Sequence, residues 1–215
     1  MSPRNLVPTA LALILPACAS APRVSRPALP PPAQEIRAGV RAPDVGPVPP
    51  VAATRAPREA TVRAAIETAR GLVGQREISL EGTRFGDDCA ALVRASFSRA
   101  GAPLPAGATT VSALHHLAQQ RRVLRRDDPV AGDLIFLADR PGGAPAHVGI
   151  VESVGADGTA LVLHRTGRGV ARVRVNAEHP WKLRSDKGRL LNDPLVTAAG
   201  RIPAGRLFVA WASIL

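Results

Sequence analysis

The chain contains 215 residues, with 28 lysines and arginines against 17 aspartates and glutamates and a formal net charge of +11. This length suits one domain preceded by shorter segments. So basic a chain ordinarily suggests a nucleic-acid partner, but the N terminus carries an export signal, and an exported chain rarely meets nucleic acid. We therefore expect no nucleic-acid binding. No set of cysteines and histidines has the spacing of a zinc site, so we also expect no metal and no cofactor.

The first 17 residues are organised as a secretory signal peptide. One arginine and no acidic residue precede an apolar run over residues 6–15, which is too short to cross a bilayer. The sequence Leu-Pro-Ala-Cys at 15–18 resembles a bacterial lipobox, in which the signal is cut before a cysteine that is then lipidated. This resemblance implies a membrane anchor on Cys18, and Ala19 after it implies the periplasmic face of the outer membrane. The alternative is an ordinary cleavage site with an incidental cysteine.

Residues 18–57 are rich in proline and alanine and have almost no periodic apolar content. Such a segment cannot bury enough apolar surface to order itself, so we expect an extended tether. A proline-rich recognition site for a partner is the alternative. Residues 58–215 are then expected to form a single domain.

The pattern of that domain is helices followed by strands. Apolar residues recur at helical spacing in three segments, at 59–72, 88–100 and 111–121. Short apolar segments separated by glycine-containing turns predict strands at 133–137, 146–153, 160–165, 170–175 and 207–213. This order predicts an α+β fold with N-terminal helices packed on an antiparallel sheet.

Cys89 stands at the start of the second predicted helix, just after Asp87 and Asp88. The positive end of a helix dipole favours thiolate over thiol, and a thiolate is a nucleophile. A buried structural cysteine is the alternative. Two histidines favour the interpretation of Cys89 as a reactive thiol. His147 lies on a predicted strand, and His164 ends the next predicted strand. A hairpin of these strands would bring the two imidazoles close to each other.

Three blocks of this domain resemble the NlpC-type peptidoglycan peptidases. Residues 88–93, Asp-Cys-Ala-Ala-Leu-Val, are similar to the Asp-Cys-Ser-Gly-Leu-Val motif of that family. Residues 129–136 are similar to its Pro-Gly-Asp-Leu-Val-Phe strand, and residues 147–151, His-Val-Gly-Ile-Val, to its His-Val-Gly-Ile strand. His164 stands where the family has its third, polar residue. The resemblance covers about residues 64–175, and the CHAP amidases are similar over the same blocks.

The resemblance implies a papain-like fold and an enzyme that cleaves an amide bond in murein stem peptides. Cys89 would be the nucleophile and His147 the general base and then acid. His164 would hold the tautomer of His147. We expect a monomer whose partners are peptidoglycan stem peptides and, through Cys18, a membrane.

Two departures from the family motifs concern recognition of the stem-peptide amine. Ala90 replaces the usual serine after the nucleophile, and the chain contains no tyrosine. Asp88 is retained as a candidate substrate-binding residue, although helix capping alone would also select aspartate there. The basic segment 181–206 is either a substrate-binding flap or a solvated loop. A non-catalytic peptidoglycan-binding envelope lipoprotein and a hydrolase of a different amide remain alternatives.

Overall fold

The computed structural model describes residues 51–215, except for the side chains at 51–54 and 57. The predictions for the signal peptide, for Cys18 and for residues 19–50 concern residues outside this range. The described part contains three α-helices: α1 (Val51–Gly71), α2 (Cys89–Arg99) and α3 (Val111–Gln120). None of these helices is long and apolar enough to cross a membrane.

The strands form one large sheet and two small hairpins. In chain order they are β1 (Ile78–Leu80), β2 (Thr83–Gly86), β3 (Leu124–Arg125), β4 (Leu134–Ala138), β5 (Pro145–Val154), β6 (Ala160–Thr166), β7 (Gly169–Val175), β8 (Pro194–Thr197), β9 (Gly200–Pro203) and β10 (Phe208–Ala212). The large sheet has the order β3-β10-β4-β5-β6-β7, with every neighbouring pair antiparallel. The predicted α+β class, with helices on an antiparallel sheet, is confirmed.

Three features differ from the expectation. Helix α1 begins at Val51 rather than at residue 59, because three alanines and one arginine before Pro57 favour a helix. Hairpins β1–β2 and β8–β9 lie in segments where we predicted no strand. Strand β3 also lies in a segment where we predicted no strand, and it pairs with β10 at one edge of the large sheet. The division of the chain at 57/58 stays a prediction.

The large sheet is covered on both faces. Its helix-side core contains Leu134 and Phe136 of β4 and the buried faces of α1, α2 and α3. On the opposite face, Ile135 and Leu137 pack with residues of β9, of β10 and of the 3₁₀ helix Ala204–Leu207. Because successive residues of a strand point to opposite faces, burial of all five residues of β4 requires both layers. This packing places β5 beside α2, with β4 paired to β5 in the same sheet.

The glycine of the His-Val-Gly-Ile block lies where β5 and β6 approach closely. A Cβ atom at Gly149 would lie 2.6 Å from Val162 Cγ1 and 2.9 Å from the carbonyl oxygen of Leu163. We expect Gly149→Ala to lower the free energy of unfolding by about 1–3 kcal/mol, because a packed core must shift to accept the methyl group. Denaturant unfolding monitored by circular dichroism measures this loss.

The matched control is Gly167→Ala in the turn between β6 and β7. A Cβ at Gly167 meets nothing within 4 Å, so its stability should stay within about 0.5 kcal/mol of the unmodified chain. Equal stability of the two variants would contradict the close approach at Gly149. Since Gly149 pairs directly with His164, the first variant should also disturb the site described below.

Candidate active site

Cys89 is the first residue of α2, and the local sequence explains its placement. Asp88 adopts an extended conformation (φ −105°, ψ 175°), and its Oδ1 accepts a hydrogen bond from the Ala91 N–H at 2.6 Å. Aspartate is a preferred N-cap residue because it satisfies an amide that has no partner within the helix. The half-buried thiol therefore lies at the positive end of the helix dipole, as predicted.

The fold brings His147 next to this thiol. His147 lies near the start of β5, and its Nδ1 is 3.6 Å from Cys89 Sγ. This distance lies within the range for a hydrogen bond that involves sulfur. A thiol and an imidazole at this separation can exchange a proton directly, as covalent catalysis by a cysteine requires.

The protonation of the pair follows from its contacts. Burial raises the pKa of the Cys89 thiol, but hydrogen bonding from His147, interactions with His164 and the Val148 N–H outweigh burial and lower this pKa to about 6. The hydrogen bond to Cys89 raises the pKa of His147; burial lowers it, and Asp139 raises it further. A thiolate beside an imidazolium is therefore the expected state from pH about 6 up to the raised pKa of His147.

Asp139 belongs to the site although it was not among the predicted residues. Its Oδ1 is 2.8 Å from His147 Nε2, on the side of the ring opposite the thiol. Asp139 follows directly after β4, and Leu137 of β4 pairs with His147. The signal was present in the sequence, because antiparallel pairing of two predicted strands places the end of one beside the start of the other. With Nε2–H donated to Asp139, Nδ1 is free to accept the thiol proton.

His164 lies in the same cluster but makes a different contact. Strands β5 and β6 form the predicted hairpin, and the rings of His147 and His164 have centroids 5.5 Å apart at an interplanar angle of 80°. His164 is 4% exposed, and neither of its ring nitrogens makes a hydrogen bond of ordinary geometry. His164 still lowers the pKa of the Cys89 thiol, first by a weak hydrogen-bonding contribution and then by a Coulombic one. The tautomer-holding role expected for His164 stays a prediction, and Asp139 is the residue that accepts the hydrogen bond from His147 Nε2.

The three predicted catalytic side chains also form a potential metal site. One atom each from Cys89, His147 and His164 lie within 4.8 Å of one another. The expectation that no metal binds considered only spacing along the chain, whereas these residues come from three separate elements. A thiolate and two imidazoles are the ligand types that zinc prefers.

Asp88 and Ala90 occupy the two positions that the resemblance links to recognition of the stem-peptide amine. Asp88 is exposed and caps α2, so its second carboxylate oxygen is available to an amine, and its substrate-binding role stays a prediction. Ala90 is buried, with 1% of its surface exposed. A serine there could present its hydroxyl group to a ligand only with a change in packing.

The basic segment 181–206 contains the β8–β9 hairpin and also contributes to a groove. The guanidinium of Arg206 lies over the ring of Trp181, 3.6 Å from its centroid. Both side chains line a groove of about 370 Å³ together with residues 141–143 of the β4–β5 loop. Because the same loop begins with Asp139, this groove borders the element that orients His147. The lining of the groove does not include Cys89, His147 or His164, so both interpretations of the segment stay predictions.

The low thiol pKa leads to a direct prediction. Iodoacetamide should alkylate Cys89 at a rate whose pH dependence has its inflection near pH 6 rather than at about pH 8.5. The experiment uses full-length protein with Cys18→Ser in the presence of a chelator. The thiolate is the reacting species, so the rate rises as pH increases through the pKa. Mass spectrometry of quenched samples gives the rate. An inflection at pH 8 or above would contradict an activated nucleophile.

The helix-borne thiol, the strand-borne imidazole and the antiparallel sheet together define an NlpC-type papain-like fold. A sequence model of the NlpC/P60 family matches residues 75–189, which include Cys89, His147 and His164. The chain belongs to the NlpC/P60 family. This is a family of cysteine peptidases and amidases, and membership supports a peptidoglycan-hydrolase-like function.

Solved structures with similar folds share little sequence identity with the chain. The P60 domain of an antigen from M. avium paratuberculosis is 16% identical, with 76% of this chain and 99% of that one covered and a TM-score of 0.42. A protein similar to lipoproteins, of the NLP/P60 family, from Staphylococcus aureus is 18% identical, with a TM-score of 0.36. The match covers 67% of this chain and 41% of that one. Comparison with curated proteins found no match.

Proposed function

We propose that the chain is a cysteine hydrolase that cleaves an amide bond in peptidoglycan stem peptides. The observation that carries this proposal is the 3.6 Å contact between Cys89 Sγ and His147 Nδ1 at the start of α2. Family membership supports the class of substrate. The thiol pKa of about 6 supports the nucleophile, because thiolate then predominates at neutral pH.

In the proposed reaction, the Cys89 thiolate attacks the amide carbonyl and forms a tetrahedral intermediate. Its oxyanion accepts a hydrogen bond from the Cys89 backbone N–H at the helix start. His147 then donates its Nδ1 proton to the departing amine, which leaves a thioester. His147 next takes a proton from water, and the resulting hydroxide hydrolyses the thioester and restores the thiolate. Asp139 accepts a hydrogen bond from Nε2 throughout and so stabilises the imidazolium whenever it forms.

Mass spectrometry of purified murein fragments incubated with the protein tests this function. The protein is the full-length chain with Cys18→Ser, and the control is the same chain with Cys89→Ala added. We expect products that gain one water at a single amide bond, and no such products from the control. Intact fragments in both samples, with the thiol shown to be alkylatable, would reject murein peptides as substrates.

The second candidate function is non-catalytic binding of peptidoglycan. Ala90 and the lack of any tyrosine favour it, because both changes remove residues that the resemblance assigns to amine recognition. Binding to sedimented murein without product release would support this candidate. Cleavage of another amide with murein left intact would instead support the hydrolase with a different substrate.

We also propose that the protein is lipid-anchored through Cys18 at the periplasmic face of the outer membrane. Cys18→Ser should abolish incorporation of a metabolic fatty-acid label and release the protein from the membrane fraction or leave it uncleaved. Gel fluorography of labelled cells measures incorporation, with Cys89→Ser as the matched cysteine control. Label in the Cys18→Ser protein, or none in the unmodified chain, would contradict the anchor.

A further inference from the structure

We propose that Cys89, His147 and His164 form a three-ligand site for Zn²⁺, and that zinc occupation reversibly blocks the thiol. The site itself stands on geometry alone, and only the blocking effect rests on the proposed function. The three residues come from α2, β5 and β6, so their spacing along the sequence does not predict the site.

The distance between Cys89 Sγ and His147 Nδ1 fits a tetrahedral zinc ion. Zinc holds a thiolate at about 2.3 Å and an imidazole nitrogen at about 2.1 Å, so two such ligand atoms lie about 3.6 Å apart. Cys89 Sγ and His147 Nδ1 are 3.6 Å apart. The His164 nitrogen completes a cluster within 4.8 Å, so its ring must move toward the other two ligand atoms to coordinate the same ion.

His147 already has the outer contact typical of a zinc ligand. Metal-bound histidines usually donate the second ring N–H to a carboxylate, which fixes the tautomer and raises the basicity of the coordinating nitrogen. Asp139 accepts that hydrogen bond from Nε2, 2.8 Å away, and Nδ1 is therefore directed to the metal position.

His164 supplies an independent observation. A buried polar group without a hydrogen bond is destabilising, yet this ring is 4% exposed and both of its nitrogens lack one. A zinc ion between the ring and Cys89 would satisfy one nitrogen. Three protein ligands leave the fourth tetrahedral position open to water.

Zinc would occupy both reacting groups at once. Its bond to Cys89 engages the sulfur lone pair that attacks the substrate, and the proton of the ion pair is released from His147 to solvent. Its bond to His147 engages the Nδ1 lone pair that accepts a proton. Zinc in excess should therefore stop hydrolysis, and a chelator should restore it.

Titration with Co²⁺ and Zn²⁺ tests the site without reference to activity. In the full-length chain with Cys18→Ser, Co²⁺ should bind one to one and produce a thiolate-to-cobalt charge-transfer band, and Zn²⁺ should displace it. Cys89→Ser should abolish this band. His164→Ala and, as a second variant that keeps a polar side chain, His164→Asn should each weaken binding at least about 10-fold. Asp139→Asn should weaken it about 10- to 100-fold.

The matched control is His116→Ala, which removes an exposed histidine on α3 and should leave the affinity unchanged. Equal affinity after Cys89→Ser, or after both His164 substitutions in folded protein, would overturn the site. Zinc should also protect Cys89 from iodoacetamide in the unmodified site. If zinc binds and protects but no murein fragment is cleaved without zinc, the site stands and the proposed function fails. Hydrolysis that requires zinc would overturn the blocking effect.

Discussion

Cys89→Ala and His147→Ala are each expected to lower the rate of murein-peptide cleavage by at least about 10⁴-fold. The first substitution removes the nucleophile and the second removes the proton carrier, so neither variant can follow the covalent route. The double variant should be no worse than either single variant, because members of one catalytic unit are not additive. Product formation followed by mass spectrometry under single-turnover conditions gives the rates.

Circular dichroism and denaturant unfolding should first show that each variant is folded. The control substitution is His116→Ala, which lies outside the cluster and should retain the full rate. Cleavage by His147→Ala protein at close to the unmodified rate would reject the papain-like mechanism. Peptidoglycan binding without catalysis would then be the better assignment.

Asp139→Ala and His164→Ala are expected to slow turnover less severely, by about 10- to 100-fold, and to change the pH profile in opposite directions. Asp139 raises the pKa of His147, so its removal should lower the pH at which activity is lost on the alkaline side. His164 helps to lower the pKa of Cys89, so its removal should raise the pH at which activity appears on the acidic side. The loss of Asp139 therefore narrows the active pH range from the alkaline side, and the loss of His164 narrows it from the acidic side.

The pH dependence of kcat and of kcat/KM separates these two roles from a loss of stability. A destabilised protein would lose activity without a shift of only the acidic or only the alkaline side of its pH profile. Asp139→Asn keeps an acceptor for Nε2–H but removes the charge, so it should retain the rate better than Asp139→Ala if orientation dominates. Identical profiles for Asp139→Ala and the unmodified chain would show that the exposed carboxylate does not position His147.

Local signals predicted much of the domain. Helix α2 was predicted because an N-capping aspartate precedes an apolar periodic run. Both signals involve residues that lie within a few helical turns of one another. Strands β4 to β7 were predicted from short apolar segments between glycine turns. Hairpins β1–β2 and β8–β9 were missed, because their short strands are largely exposed or half-buried and carry no strong alternation of apolar residues.

By itself, the amino-acid sequence determined the fold class and identified Cys89, His147 and His164, because helix starts, strand periods and turns are properties of neighbouring residues. Only the tertiary structure decided which groups touch. It placed Asp139, and not His164, on Nε2 of His147, and it left His164 buried beside the thiol without a hydrogen bond. Such contacts depend on strand register and on how a helix end packs against a sheet, and a shift of one residue would exchange the partners.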